Sequence, residues 1–101
     1  MSILTEFHEN TARIRLSGAI DYSTQDAFQE ENNKALGAAH ITEILVDLDE
    51  VTFLDSSGIR ALLMLQKDAV QTGKALVILN CRHPVREIFE IGGFDRMFTF
   101  R

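Results

Sequence analysis

The chain is poor in cysteine, in proline and in runs of apolar residues, and each shortage closes off a class of protein. A single cysteine, Cys81, rules out an internal disulfide. It follows the apolar run Ala75 to Leu79, which suits an inert thiol at a half-buried strand end better than a redox centre. No apolar stretch approaches the ~20 residues that span a bilayer. The opening Met1-Ser2-Ile3-Leu4-Thr5-Glu6 lacks the basic start and apolar stretch of a signal peptide, so a cytoplasmic protein is expected. There is no excess of basic residues either. The formal net charge is −5, and the cations are scattered among acids, which speaks against nucleic acid as a ligand and against direct binding to an anionic membrane. Internal repeats, low-complexity tracts and linkers are also missing.

What remains is an ordinary globular composition. The chain has 101 residues, 46% of them hydrophobic and 25% charged, which is the size of one domain spanning 1–101. Ile3–His8 and Ala12–Ser17 read as strands, with Ala12, Ile14 and Leu16 alternating with Arg13, Arg15 and Ser17. Glu9-Asn10-Thr11 supplies the turn of an antiparallel hairpin. Gly18 to Tyr22 reads as a loop. Ser23 suits a helix N-cap, with Asp26 in the capping-box position, and the helix runs to about Leu36 and stops at Gly37. Its apolar face, Ala27, Phe28, Ala35 and Leu36, is thin. Ile44-Leu45-Val46 is apolar on both faces and reads as a central strand.

A second helix follows Ser56 and ends at Gly73. Its apolar arc, from Ile59 through Leu62, Leu63, Met64, Leu65 and Ala69 to Val70, is wider than one buried stripe needs. Met64 and Leu65 are therefore candidates either for the core or for contact with a partner. Ala75–Leu79 is the next strand. Pro84 suits the start of a third helix with Val85, Ile88, Phe89 and Ile91 on its apolar face, and Gly92-Gly93 breaks it. Met97–Phe100 reads as a last short strand or a helix end. The expected fold is α/β, with element order β-β-α-β-α-β-α and a mixed sheet made by one hairpin and two crossovers.

The densest chemistry lies at Asp55-Ser56-Ser57-Gly58, where a buried strand passes through a loop into a helix. Asp or Ser there can accept hydrogen bonds from the unpaired N–H groups of the first turn. Gly58 has no side chain, so another molecule could approach closely. A phosphoryl group on a serine here would carry roughly −1.5 to −2 charges, tolerated by the positive end of the helix. A helix start that is merely well capped would also account for the four residues. The local chemistry does not choose between Ser56 and Ser57.

Catalysis and metal binding find little support. Asp47 and Asp49 share one side of a strand, but with only Glu50 nearby they read as solvent-facing charges at a strand end. His8, His40 and His83 lack zinc-ligand spacing. A serine nucleophile with His83 as base would need the Gly-x-Ser-x-Gly elbow, which is absent. A phosphoacceptor of the receiver type would need paired acids after its first strand, a lone Asp after its third and a late Lys, and the β-β-α opening does not supply that layout.

Val46-Asp47-Leu48 followed by Val51-Thr52-Phe53-Leu54-Asp55-Ser56-Ser57-Gly58-Ile59 resembles the signature of bacterial anti-sigma factor antagonists, the single-domain STAS proteins. The likeness covers nearly the whole chain: Gly18-Ala19-Ile20-Asp21 matches the loop after the hairpin, Gly73 to Leu79 the later strand, and Val85 to Phe98 the C-terminal helix. It implies a STAS fold with helices mainly on one face of the sheet. It implies that Ser56 is the phosphoacceptor, with Ser57 second, and that Asp21 contacts the partner; Asp55, Ser56, Ser57, Gly58 and Arg60 are the further candidates for that surface. Arg60 stands where many relatives carry a small residue, and could pair with a phosphate or with an acid on the partner. The implied partners are an anti-sigma factor that is also an ATP-binding serine kinase, and a PP2C-type phosphatase. The unphosphorylated chain, a monomer when free, captures the anti-sigma factor and frees the sigma factor. No cofactor is implied. Two alternatives share the fold: a non-catalytic subunit of a membrane lipid-transport complex, and a partner switch whose output is not a sigma factor.

Overall fold

A computed structural model describes residues 1–101. Strands β1 (Ser2–His8) and β2 (Thr11–Ile20) are followed by α1 (Gln25–Gly37), β3 (Glu43–Leu54), α2 (Ser56–Gln71), β4 (Ala75–Leu79), α3 (Val85–Ile91), a 3-10 turn at Asp95–Met97 and β5 (Thr99–Phe100). The five strands lie side by side in chain order. β1 and β2 are antiparallel, and every later pair is parallel. Because parallel crossovers share one hand, three successive crossovers that step in the same direction across the sheet put all three helices on one face.

The burial pattern follows from this. Ala12, Ile14 and Leu16 of β2, Ile44, Val46 and Leu48 of β3, and Leu76 and Ile78 of β4 point toward the helices and are buried. They join one core of 22 buried residues with Phe28 and Ala35 of α1, Ile59, Leu62 and Leu65 of α2, and Val85 and Phe89 of α3. Phe89 meets Phe98 and Phe100 edge-on, at ring separations of 5.5 and 5.4 Å. α1, the longer of the two helices that give only two residues each, adds Phe28 and Ala35, as its thin apolar face foretells. Ala27 is exposed, and fully buried Asn32 carries an amide with no hydrogen-bond partner.

Several boundaries differ from the sequence reading. β2 does not end at Ser17. Gly18 takes φ +83 at an irregularity in the β2–β3 register, and the strand resumes with Ala19 opposite Phe53 and Ile20 opposite Leu54. The glycine that reads as the start of a loop lies inside the strand, opposite a bulge in β3 whose extra residue is Thr52. β3 likewise runs unbroken through Asp49-Glu50 to Leu54, so no loop precedes α2. Pairing with β4 stops at Asp47, and just beyond it Asp49 and Glu50 are exposed, with Arg82 donating to the Asp49 carbonyl. The N-cap of α1 is Thr24 rather than Ser23, and no side chain caps the helix directly. Ile91 is 79% exposed and does not belong to the buried face of α3.

Asp47 is not a solvent-facing charge. It is 6% exposed on the helix-free side of the sheet, where it accepts from Arg13 Nη2 at 2.6 Å, from Asn80 Nδ2 at 3.0 Å and from the Asp49 N–H at 3.0 Å. Burial alone would raise its carboxyl, but these donors outweigh it and hold the group below the usual carboxylate range. Asp49 instead pairs with Arg82 at the surface.

Candidate functional site at the start of the second helix

Asp55 is the single residue between β3 and α2, and it ties three segments together. Its backbone is extended, as an N-cap requires, and its Oδ1 accepts from the Gly58 N–H at 2.9 Å. Its Oδ2 accepts from the Tyr22 N–H at 3.2 Å, which draws the β2–α1 loop against the helix start. Its own N–H donates to the Ile20 carbonyl at 3.3 Å.

Gly58 is buried, and its role differs from the one read in the sequence. A Cβ built there would lie 2.2 Å from the Ile20 carbonyl oxygen. The absent side chain lets β2 approach, not an outside molecule. Ile20 and Gly58 are remote in sequence, which is why the motif alone suggests the wrong neighbour.

The two serines are not equivalent. Ser56 is exposed and Ser57 half-buried, and neither hydroxyl makes a hydrogen bond. Asp21 lies in the loop that Asp55 holds. Its Oδ1 accepts from the Ser23 N–H at 3.0 Å, the Ser23 hydroxyl at 2.7 Å and the Thr24 N–H at 3.2 Å. The Ser23 hydroxyl leads the causes that lower its carboxyl below the ordinary value. Asp21 thus supplies the turn chemistry assigned to Ser23, and its Oδ2 has no partner within the chain.

Arg60, one turn past Ser56, is exposed and makes no ion pair. It borders two hollows. One, of about 360 Å³, lies between α2 and α3 and is walled by Leu54, Ile59, Leu63, Ile88 and Phe94, with Asp55, Ser56 and Arg60 at its rim. The other lies between α1 and α2 beside Asp26, Gln29 and Met64. Leu65 is core at 1% exposure, whereas Met64 is 45% exposed on the same side as Arg60. Tyr22, 77% exposed next to Asp55, escaped the sequence reading; an aromatic in a polar turn was its only signal. Ile88 and Phe94 escaped as site residues because they arrive from the far end of the chain.

Neither oxygen of Asp47 is left free for a cation, since Arg13 and Asn80 occupy one each. Cys81 is half-buried, and burial pushes its thiol up to about 11, away from thiolate chemistry at neutral pH. No helix is long and apolar enough to cross a membrane.

The molecule is thus a small α/β domain, helices on one face of a mixed sheet, that offers an open serine at a rigidly capped helix start. It belongs to the STAS domain family, whose model matches residues 2–101. An anti-sigma F factor antagonist of Paenibacillus polymyxa is 27% identical over 97 residues, which span 96% of this chain and 83% of that protein. The structure of the anti-sigma factor antagonist SpoIIAA in its unphosphorylated form superposes with a TM-score of 0.76 at 21% identity, covering 99% of this chain and 87% of that one. The phosphorylated form of the Bacillus cell fate determinant SpoIIAA gives 0.75 at 21% identity, covering 99% and 91%.

Proposed function

We propose that this chain is the phosphorylation-controlled binding element of a partner switch. The observation that carries the reading is the exposed, unengaged hydroxyl of Ser56 beside the locked N-cap Asp55, at the mouth of a largely apolar hollow. Support comes from the curated relative named an anti-sigma factor antagonist, and from a fold neighbour solved both with and without phosphate. The unmodified chain captures an anti-sigma factor that is also a serine kinase, and so frees a sigma factor. The kinase transfers the γ-phosphoryl of ATP to Ser56 Oγ, the hydroxyl proton is lost and ADP leaves; a PP2C-type phosphatase hydrolyses the ester. The chain is the substrate and performs no catalysis. It works as a monomer in the cytoplasm.

Asp21, through its free Oδ2, and Arg60 contact the partner, with Ser56 and Ser57 between them. Asp55 and Gly58 contribute by fixing the surface. The charge suffices for a switch. A phosphate set ~5 Å from a partner carboxylate at an effective dielectric of ~20 is repelled by several kcal/mol before salt screening. Even ~3 kcal/mol changes affinity about a hundredfold.

The test is fragment mass spectrometry of the chain recovered from its cells together with whatever it binds. A phosphoryl group on Ser56 and a co-purifying ATP-binding kinase are expected. Ser56→Ala should keep the partner and resist modification, and Ser56→Asp should lose about a hundredfold in affinity by calorimetry. Undiminished phosphate on the Ser56→Ala variant would overturn the site, and co-purification of a transporter ATPase instead would favour a lipid-transport subunit.

A further inference from the structure

Five of the seven arginines are engaged within the chain. Arg13 holds Asp47, Arg15 holds Glu6, Arg82 holds Asp49, Arg101 holds Glu43, and Arg86 lies over the Phe100 ring. Of the two left, Arg60 borders the hollow that Ser56 also borders. Asp26, across the neighbouring hollow, does not pair with it. In a chain with a formal charge of −5, an uncommitted cation beside the proposed modification site is conspicuous.

Helix geometry says what it can reach. Ser56 and Arg60 stand at i and i+4 of α2, on one face, with Cβ atoms roughly 5–6 Å apart. Side chains of a helix lean toward its N-terminus, so the Arg60 guanidinium is carried back over Ser56 rather than away from it. An anion N-terminal to a cation at this spacing is the favoured order. A guanidinium matches phosphate oxygens in paired, charge-assisted hydrogen bonds.

We propose that Arg60 is the internal receptor for a phosphoryl group on Ser56, and that modification draws its guanidinium off the rim of the hollow and onto the phosphate. This rests on Ser56 being the acceptor. One covalent event then makes two changes at the surface. It adds negative charge, and it removes the cation available to an acidic group of the partner. The switch therefore acts by withdrawal of a cation as well as by addition of a negative charge.

The test needs no kinase. Phosphoserine is incorporated at position 56 during translation, in the wild-type background and with Arg60→Gln, and phosphorus NMR follows the second ionisation of the phosphate, near pH ~6 for a free phosphoserine. Asp55, Asp21 and Asp26 are the other charged groups about the site and are the same in both proteins, so the difference reads Arg60. The wild type is expected to titrate about 0.3–0.5 pH unit below Arg60→Gln at low salt, a two- to threefold change in ionisation constant. Arg60→Lys should recover part of that gap, and the Arg60 Nε–H resonance should move on modification in the wild type. Coincident midpoints for wild type and Arg60→Gln, with both proteins folded by circular dichroism, overturn the proposal and leave the acceptor assignment standing. Absence of phosphate at Ser56 in the natural protein overturns the assignment, and the receptor role with it.

Discussion

Gly58→Ala separates two accounts of the same glycine. If Gly58 exists to admit an outside molecule, a methyl group there should spare the fold and harm only binding. The structure predicts the reverse. The new Cβ would meet the Ile20 carbonyl oxygen at 2.2 Å and the Ile20 Cβ at 3.3 Å. Ordinary contacts between heavy atoms lie at roughly 3.5–4 Å, so the start of α2 must withdraw from β2 by about 1 Å. The Asp55 N–H bond to Ile20, already 3.3 Å, and the Tyr22 N–H bond to Asp55, at 3.2 Å, would both pass out of range. Two lost hydrogen bonds cost about 2 kcal/mol, and overpacking adds about 1–3. The better helix propensity of alanine returns about 1 kcal/mol. The net is a destabilisation of about 2–4 kcal/mol, or a fall in Tm of roughly 10–30 °C for a chain of this size. Urea unfolding followed by far-UV circular dichroism measures it as a shift in midpoint at constant slope. Gly37→Ala is the control: nothing lies within 4 Å of a Cβ there, and stability should hold or rise slightly. A Gly58→Ala protein within ~1 kcal/mol of wild type that no longer captures its partner would refute the packing argument.

Two further substitutions probe the charges on either side of the sheet. Asp21→Asn keeps an oxygen for the Ser23 and Thr24 donors but removes the charge, so Tm should stay within a few degrees while affinity for the partner falls about tenfold or more by calorimetry; a large loss of Tm with normal affinity would make Asp21 a turn residue only. Asp47 is held low in the fold, so its contribution to stability is complete above its unfolded value of about 3.9 and disappears as pH falls through the lower folded value. Asn80→Ala removes one of its donors and raises the folded value toward the unfolded one, so the variant should lose less stability than the wild type as pH falls below about 4; superposable pH dependences between about pH 5 and 2 would sink this assignment.

Where the sequence was legible, local signals coincided with element ends. β4 falls at Ala75–Leu79 because Gly73 takes φ +73 just before it and the apolar run stops just after. α2 opens at Ser56 because Asp55 caps the first turn locally, its side chain accepting from the Gly58 N–H. Three of the misses, all but Ser23, share one cause: a neighbour remote in sequence. Gly18 looks like a turn until β3 is laid beside it. Asp47 looks solvent-facing until Arg13 and Asn80 converge on it from the two adjoining strands' ends. Ser23 looks like a cap because the competing acceptor, Asp21, precedes the helix by a full turn. The wall of the hollow beside Ser56 needs α3 and Phe94, which no local pattern links to the signature.

The site combines a locked residue with a free one, and the order matters. Asp55 spends both oxygens on backbone donors from two segments, so its carboxylate cannot swing aside when charge appears next to it. Ser56 is bound by nothing. A phosphate there meets a surface that does not yield, near unpaired N–H groups of the first turn that offset much of its repulsion from Asp55. The new charge is therefore felt outward, by whatever approaches, rather than inward, by the fold. With Ser56 as the acceptor, as proposed, the two states would differ in what the surface repels and in where Arg60 is held, and the backbone would need no second conformation.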